Sequence, residues 1–126
     1  MKLVIDTDIF IDYFRSLRKA RSYFESIGNS GDDVYFSAIT EAELLSGKEC
    51  SDEEKKRIIM DFLSQWTEIP VDNTVAQQGG EIRRKYEVEL DDALIAATAQ
   101  SRDALLITRN TSDFKKIKGL EMKKPY

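Results

Sequence analysis

The sequence predicts an α/β protein in which a parallel sheet of four to five strands carries helices on both faces. Short apolar runs rich in β-branched residues alternate with segments of helical periodicity along the whole chain, which is the pattern of parallel sheets built from strand-helix-strand units. The 126 residues show no repeat or linker, and this length suits one domain with one core. We therefore expect a single domain at residues 1–126.

The first half of the chain begins with a strand at residues 2–6, an apolar run that ends in a carboxylate. Asp8 suits the cap of the helix that follows, because aspartate readily accepts hydrogen bonds from N–H groups of the first turn. Apolar positions continue at helical spacing to Gly28. A second strand is expected at residues 34–37, followed by a short helix for which Thr40 suits the N-cap.

The second half of the chain repeats the alternation of helix and strand. Two consecutive glycines weaken one of its helices, and Asp91 or its neighbour suits the cap of the next helix, which is rich in alanine. The expected elements are a helix opened by Ser51 that ends near residue 64, a strand at 67–71, a helix at 72–86, a helix at 91–100 and a strand at 104–108.

The residue types that are missing restrict the chemistry. Histidine is absent and Cys50 is the single cysteine, so no internal disulfide forms and a zinc site lacks its usual ligands. Nucleophiles activated by histidine and the imidazole pair of metal-free ribonucleases are likewise excluded. Any hydrolysis must therefore use carboxylates, lysines, hydroxyls or a bound metal ion.

The charge and the hydropathy of the chain bear on its binding partners and its cellular location. The formal net charge of −4 argues weakly against nucleic acid, since basic residues supply most phosphate affinity. Apolar runs are too short to span a bilayer or to form a secretory signal, so we expect a cytoplasmic protein with no membrane partner. Three basic clusters are either solvated faces or phosphate contacts: Arg15, Arg18, Lys19 and Arg21; residues 83–85; and Lys115, Lys116 and Lys118.

Five polar residues are placed to meet at one edge of the predicted sheet. Asp6 ends the first strand, and Asn110 and Asp113 follow the fourth. Glu43 and Asp92 are expected in the first turns of two helices. Ligands of open parallel sheets bind beyond the carboxyl ends of the strands, and converging carboxylates need protons or cations to offset their repulsion. Ligands that offer only oxygen atoms suit Mg²⁺ or Mn²⁺.

Several of these acidic residues also have structural explanations. Thr40-x-x-Glu43 has the spacing of a capping box, and Asp92 would be favoured by the helix dipole without any metal. Thr108 and Arg109 are either polar groups at a strand end or phosphate contacts. Asp6 is harder to explain structurally, because a carboxylate that ends a buried strand is costly without a partner.

Four segments of the chain resemble one known family. They are Val4-Ile-Asp-Thr-Asp-Ile-Phe-Ile-Asp12, Ser37-Ala-Ile-Thr-Glu-Ala-Glu-Leu-Leu-Ser-Gly47, Asp91-Asp-Ala-Leu-Ile-Ala-Ala-Thr-Ala99 and Leu106-Ile-Thr-Arg-Asn-Thr-Ser-Asp-Phe114. Together they are similar to PIN-domain proteins, in particular to the VapC-type toxin ribonucleases of prokaryotic toxin-antitoxin pairs. The resemblance implies a flavodoxin-like sheet, cleavage of single-stranded RNA with Mg²⁺ or Mn²⁺, a homodimer and a small cognate antitoxin.

The same resemblance assigns roles to individual residues. The acidic positions of the family match Asp6, Glu43 and Asp92, of which Asp6 and Asp92 are expected to hold the metal. The fourth acidic position falls at Asn110, so Asp113 is the alternative, acting directly or through water. Whether the site takes one metal ion or two stays open.

Three other functions are compatible with parts of the sequence. Asp6-Thr-Asp8 after an apolar strand is also the arrangement of haloacid-dehalogenase-like phosphatases, although the further acidic pair and the lysine of that family have no clear match. A receiver-like signalling domain would share the strand and helix alternation and an acidic cluster at the end of the first strand. It needs a phosphoacceptor aspartate at the end of a central strand, and neither the strand at 34–37 nor the strand at 104–108 ends in one. A PIN-like domain that binds RNA or an antitoxin without cleaving is the third alternative.

Overall fold

The structure is a computed structural model that describes residues 1–126 as five parallel strands and seven α-helices. The strands are β1 (Lys2–Ile5), β2 (Asp33–Ser37), β3 (Thr67–Ile69), β4 (Leu105–Ile107) and β5 (Met122–Lys123). The helices are α1 (Thr7–Phe14), α2 (Arg18–Gly28), α3 (Ala38–Leu45), α4 (Glu53–Leu63), α5 (Asn73–Tyr86), α6 (Leu90–Ser101) and α7 (Thr111–Phe114), with a 3₁₀ turn at Lys48–Ser51.

The strand order β3-β2-β1-β4-β5 reverses direction at β1. The chain moves outward from β1 to β3 on one side and returns to build β4 and β5 on the other, with every neighbouring pair parallel. Ile5 of β1 lies opposite Ile107 of β4, and the next N–H, that of Asp6, donates to the carbonyl of Ile107 at 2.9 Å. The carboxyl ends of β1 and β4 therefore meet at the switch point where such sheets bind ligands.

Two apolar cores cover the two faces of the sheet. In β1, the side chain of Val4 packs in one core, whereas those of Leu3 and Ile5 pack in the other. Helices α5 and α6 contribute to the first core, and α1, α2 and α4 contribute aromatic rings to the second. Each buried strand therefore has apolar side chains on both faces, as expected of a parallel sheet.

One of the two glycines of α5 is explained by the contact between α5 and α6. A Cβ atom at Gly79 would lie 2.5 Å from Cδ2 of Leu94 in α6, whereas a Cβ at Gly80 would meet nothing within 4 Å. The first glycine therefore permits close helix packing, and the helix predicted across both glycines is present.

The beginning of the first helix differs from the prediction. Asp6, not Asp8, is the N-cap of α1, and its side chain accepts a hydrogen bond from the N–H of Thr7. The helical pattern predicted to continue to Gly28 is broken at Ser16, which has φ of 63° and separates α1 from α2. A left-handed residue ends a helix whatever apolar spacing follows it, so periodicity alone missed this turn.

The other predicted caps also shift. Ser37 caps α3 through a hydrogen bond from the N–H of Ile39, so Thr40 lies inside the helix. Asp52 rather than Ser51 caps α4. Glu89 rather than Asp91 precedes α6, and it makes no capping hydrogen bond. Because Ser and Asp have similar N-cap preferences, composition could not choose between neighbouring candidates.

The last part of the chain contains two elements that were not predicted. The short helix α7 and the two-residue strand β5 have no counterpart among the predicted elements, because both are shorter than the windows in which periodicity can be read. No helix combines the length and the apolar character required to cross a bilayer.

Candidate active site

Asp6 is buried at the carboxyl end of β1, with 5% of its surface exposed. Its Oδ1 accepts a hydrogen bond from the N–H of Thr7 at 2.8 Å, and its Oδ2 accepts one from the hydroxyl of Thr108 at 2.7 Å. Burial and, next, the charge of Asp8 raise the pKa of Asp6 to about 7, although both hydrogen bonds lower it. The buried strand-end carboxylate expected from the sequence is therefore held in place but carries an electrostatic cost.

Thr108 connects Asp6 to the segment that follows β4. Its hydroxyl donates to Asp6 and accepts a hydrogen bond from the N–H of Asn110 at 3.0 Å. Asn110 is exposed at the N-cap position of α7, and its side chain makes no capping hydrogen bond. Thr108 is thus a buried strand-end group that orients Asp6, and Asn110 stands free at the same edge of the sheet.

Glu43 lies in the second turn of α3, not in the first turn as predicted. Its Oε1 accepts a hydrogen bond from the hydroxyl of Thr7 at 2.7 Å, and that hydroxyl lies 2.9 Å from the hydroxyl of Thr40. Since Thr7 uses its one hydroxyl proton for Glu43, Thr40 donates to Thr7. The proposed capping box is therefore wrong, because Glu43 contacts the start of α1 rather than the start of its own helix.

Asp92 lies in the first turn of α6, as predicted, and is half-buried. Burial is the main cause that raises its pKa to about 6. Neighbouring carboxylates add to the shift, and the pKa of Asp6 is in turn raised by Asp92. The residues whose charges act on Asp92 are Asp91, Asp113, Glu43 and Glu89.

The structure therefore brings four predicted residues into one acidic centre, which we define as Asp6, Glu43, Asp92 and Asp113. They come from the end of β1 and from the helices α3, α6 and α7, all on the carboxyl side of the sheet. The pKa of Glu43 is also raised, chiefly by burial and further by Asp91. The raised pKa values show that these carboxylates repel one another and are poorly solvated. A bound cation would offset that repulsion.

A divalent metal ion fits this centre by charge and by donor type. All four side chains offer carboxylate oxygens, the ligands that Mg²⁺ and Mn²⁺ prefer. No three of the acidic side chains stand in a ready-made ligand arrangement. Mg²⁺ needs none, because it usually keeps several water ligands and takes only one or two protein carboxylates directly.

A second group of side chains lies next to the acidic centre, and the sequence analysis named Asp8 and Arg109 but did not predict their contacts with each other. Asp8 does not cap a helix; its Oδ2 accepts a hydrogen bond from the N–H of Arg109 at 2.9 Å, and its Oδ1 is buried without any hydrogen bond. Burial raises the pKa of Asp8. Its position two residues after Asp6 was the available signal, because both residues then lie beside the same strand end.

Arg109 is fixed through its side chain as well. Its Nε donates to Oδ2 of Asp12 at 2.6 Å, and its Nη2 lies 3.1 Å from Oδ1 of the same carboxylate. The hydroxyl of Tyr126 donates to Oδ2 of Asp12 at 2.7 Å. Asp12 is buried in α1, and a charged residue at such a position requires an ion pair. Nothing in the sequence pairs Asp12 with residues about a hundred positions away.

An apolar cavity of about 460 Å³ opens beside Glu43. Its walls come from α1, α3 and α4, and Ile58 is 48% exposed there. Charged side chains of both signs surround the apolar part. The lining residues include Ile11, Phe14, Leu44, Ile58 and Ile59, with Arg15, Lys55, Glu43 and Glu49 among the charged groups.

Comparison with known proteins identifies the family. The model of the PIN domain family matches residues 3–120. Ribonuclease VapC19 of Mycobacterium tuberculosis is 34% identical over 121 residues, which cover 90% of this chain and 92% of that protein. The tRNA(fMet)-specific endonuclease VapC of Shigella flexneri is 30% identical over 127 residues, 95% of each chain.

The solved structures agree with the sequence relatives. A chain of the toxin-antitoxin complex from Klebsiella pneumoniae superposes with a TM-score of 0.82 at 32% identity, over 98% of both chains. The superposition therefore spans almost the whole of both chains. The phosphatase and receiver-like alternatives are therefore set aside, and the chain belongs to the PIN domain family, among its VapC-type members.

Proposed function

We propose that this protein is a metal-dependent endoribonuclease that acts as the toxin of a toxin-antitoxin pair. The observation that carries the proposal is the acidic centre, in which Asp6, Glu43 and Asp92 converge at the switch point of the sheet and have raised pKa values. The names of two relatives, a ribonuclease and a tRNA-specific endonuclease, support RNA as the substrate. A chain without histidine has few other means of hydrolysing a phosphodiester.

Asp6 and Asp92 would hold Mg²⁺ or Mn²⁺, and Glu43 and Asp113 would bind it directly or through water. A bound divalent ion supplies Lewis acidity, which makes water a better nucleophile and offsets charge on the phosphate oxygens. Asn110, at the fourth acidic position of the family, is neutral and would orient water or RNA by hydrogen bonding.

The protein groups around the centre fix and tune these carboxylates. Thr108 and the N–H of Thr7 hold both oxygens of Asp6, and the hydroxyl of Thr7 holds Glu43. One threonine therefore contacts two members of the acidic centre from the first turn of α1. Burial raises the pKa of Glu43, so this carboxyl holds a proton more readily than an exposed glutamate does and suits proton exchange with a nearby water.

A small antitoxin protein would bind at the apolar cavity beside Glu43. The cavity offers Phe14, Leu44 and Ile58 to an apolar segment and charged groups of both signs to its flanks, which matches an amphipathic helix or strand. A segment seated there would cover Glu43 and block access to the acidic centre. The relative from Klebsiella pneumoniae was solved as a toxin-antitoxin complex. We further propose a cytoplasmic homodimer.

The test is cleavage of a mixed RNA pool by protein purified away from its antitoxin, with Mg²⁺ or Mn²⁺. EDTA and Asp92→Asn should each abolish cutting. Asp33→Asn is the matched control, because Asp33 is exposed at the opposite end of β2, and it should cut as the wild type does. Cutting that survives EDTA would contradict the metal dependence.

The alternative is a PIN domain that binds RNA or an antitoxin without cleaving. Asn110 favours this alternative, since an amide at the fourth acidic position removes one charge from the centre. Absence of cutting with either metal, together with retained binding of RNA, would establish it.

A further inference from the structure

Phosphate must approach a centre that is strongly negative, and one cation stands beside it. Arg109 directly follows Thr108, whose hydroxyl donates to Asp6. The N–H of Arg109 donates to Asp8, so the backbone of Arg109 is fixed close to Asp6. Its side chain remains 39% exposed. Arg109 is therefore held at the edge of the acidic centre but is still accessible to a ligand.

The guanidinium group is only partly used by the protein. It has five N–H donors, and Asp12 accepts from Nε and Nη2. Nη1 makes no hydrogen bond to the protein. Three donors consequently remain, two of them on Nη1, and this geometry suits the oxygens of a phosphate.

The surroundings of Asp12 fix the direction of Arg109. Asp12 has 10% of its side chain exposed and also accepts the hydroxyl of Tyr126. A buried carboxylate with three hydrogen bonds has little freedom, so the arginine paired with it loses little further entropy when it binds a ligand. The ion pair with Asp12 accounts for two of the five N–H donors of Arg109. It does not explain why the other three donors are left exposed beside the acidic centre.

We propose that Arg109 binds a backbone phosphate of single-stranded RNA next to the bond that is cut, and that Asp12 and Tyr126 hold it in position. This inference rests on the proposed ribonuclease function and assigns a binding residue to it. Arg109 supplies the positive charge that the acidic centre lacks for recognising the strand.

The test measures equilibrium binding of a single-stranded RNA oligonucleotide in EDTA over a range of salt concentrations. Each phosphate contact contributes about 0.7 to the slope of log affinity against log salt for single strands. Arg109→Ala should weaken binding about tenfold and reduce that slope by about 0.7. Arg109→Lys should keep most of the slope, because it keeps the charge.

Matched variants separate RNA binding from folding. Arg102→Ala is the control. Arg102 precedes β4 and Arg109 follows it, so Arg102 lies at the end of the sheet that is far from the acidic centre. This variant should leave both the affinity and the slope unchanged. The double variant Asp12→Asn with Arg109→Gln removes both charges of the pair, so it avoids an unpaired buried carboxylate. It should show the same loss of slope as Arg109→Ala.

Two results would overturn the inference. One is an unchanged slope in both Arg109→Ala and the double variant, which would make Arg109 a structural partner of Asp12 alone. The other is absence of RNA binding by the wild type in EDTA at low salt. Neither result bears on the proposed function, because that function fails only if the wild type does not cut RNA when Mg²⁺ or Mn²⁺ is present.

Discussion

The hydroxyl of Thr108 donates a hydrogen bond of 2.7 Å to Oδ2 of Asp6, across 102 positions of sequence. The parallel pairing of β1 with β4 brings these two residues together. Because this hydrogen bond favours the charged carboxylate, it lowers the pKa of Asp6 against the larger effect of burial. Thr108 therefore influences both the orientation and the protonation of the first acidic residue.

Thr108→Val should impair cleavage and destabilise the protein. The change keeps the shape of the side chain but leaves Oδ2 of Asp6 without its donor, which should cost about 1–3 kcal/mol at pH 8. Cleavage should fall by about tenfold or more. Thr108→Ser restores the hydroxyl and should recover most of the rate in the same assay. Equal loss in the serine variant would show that the hydroxyl is not responsible.

Asp92→Asn should separate cleavage from folding. Loss of this carboxylate removes a proposed metal ligand, and it also relieves repulsion from Asp91, Asp113 and Glu43. Metal-dependent cleavage should fall by at least a hundredfold, whereas the Tm of the metal-free protein should stay unchanged or rise. The comparison is a thermal melt and an RNA cleavage assay on one preparation. A lower Tm would show that Asp92 stabilises the fold.

The metal-free protein should lose stability as pH rises through neutrality. Burial raises the pKa of Asp6 from 3.8 to about 7, so the folded state binds this proton more tightly than the unfolded state. The resulting stabilisation is complete below about pH 4 and is lost as pH rises through about 7, with a size on the order of a few kcal/mol. Asp92, with a pKa of about 6, acts in the same direction.

Urea unfolding in EDTA at pH 5 and pH 8 measures this dependence. Asp6→Asn should reduce the difference between the two pH values, since asparagine does not titrate and still suits the N-cap of α1. Mg²⁺ should stabilise the wild type at pH 8 more than at pH 5, because a metal ligand must be deprotonated. An unchanged difference in Asp6→Asn would show that other groups cause the dependence.

The glycine pair of α5 tests the packing of the first core. Gly79→Ala places a Cβ 2.5 Å from Cδ2 of Leu94 and should destabilise the protein by about 1–3 kcal/mol. Gly80→Ala meets nothing within 4 Å and should stabilise the helix by about 0.4–1 kcal/mol. Chemical denaturation of both variants gives the comparison. Similar effects at the two positions would contradict the close approach of α5 and α6.

The sequence contained enough information for the sheet and most of the acidic centre. Apolar runs located β1, β2, β3 and β4, and the rule for parallel sheets placed Asp6 and Asp113 at one edge. The placement of Glu43 and Asp92 in helices that follow or precede those strands was also correct. Each of these inferences depends on local pattern or on a general property of parallel sheets, so it did not require the contacts themselves.

The remaining features depend on distant contacts or on single backbone angles. The ion pair between Asp12 and Arg109 joins α1 to the end of β4, and no local pattern connects those residues. Ser16 separates α1 from α2 through one positive φ angle, and a serine in the sequence does not predict such an angle. The role of Thr7 in holding Glu43 was hidden for the same reason, since 36 residues separate them.

Asp6 directly follows β1, caps α1 and belongs to the acidic centre. Alanine at this position would therefore mix a folding defect with a chemical one. Asp92 is not the N-cap of α6, so its carboxylate can be neutralised without removing a capping group. An Asp92→Asn protein is consequently the better bait for pulling the intact target transcript out of a cell extract, because it should retain its RNA instead of destroying it.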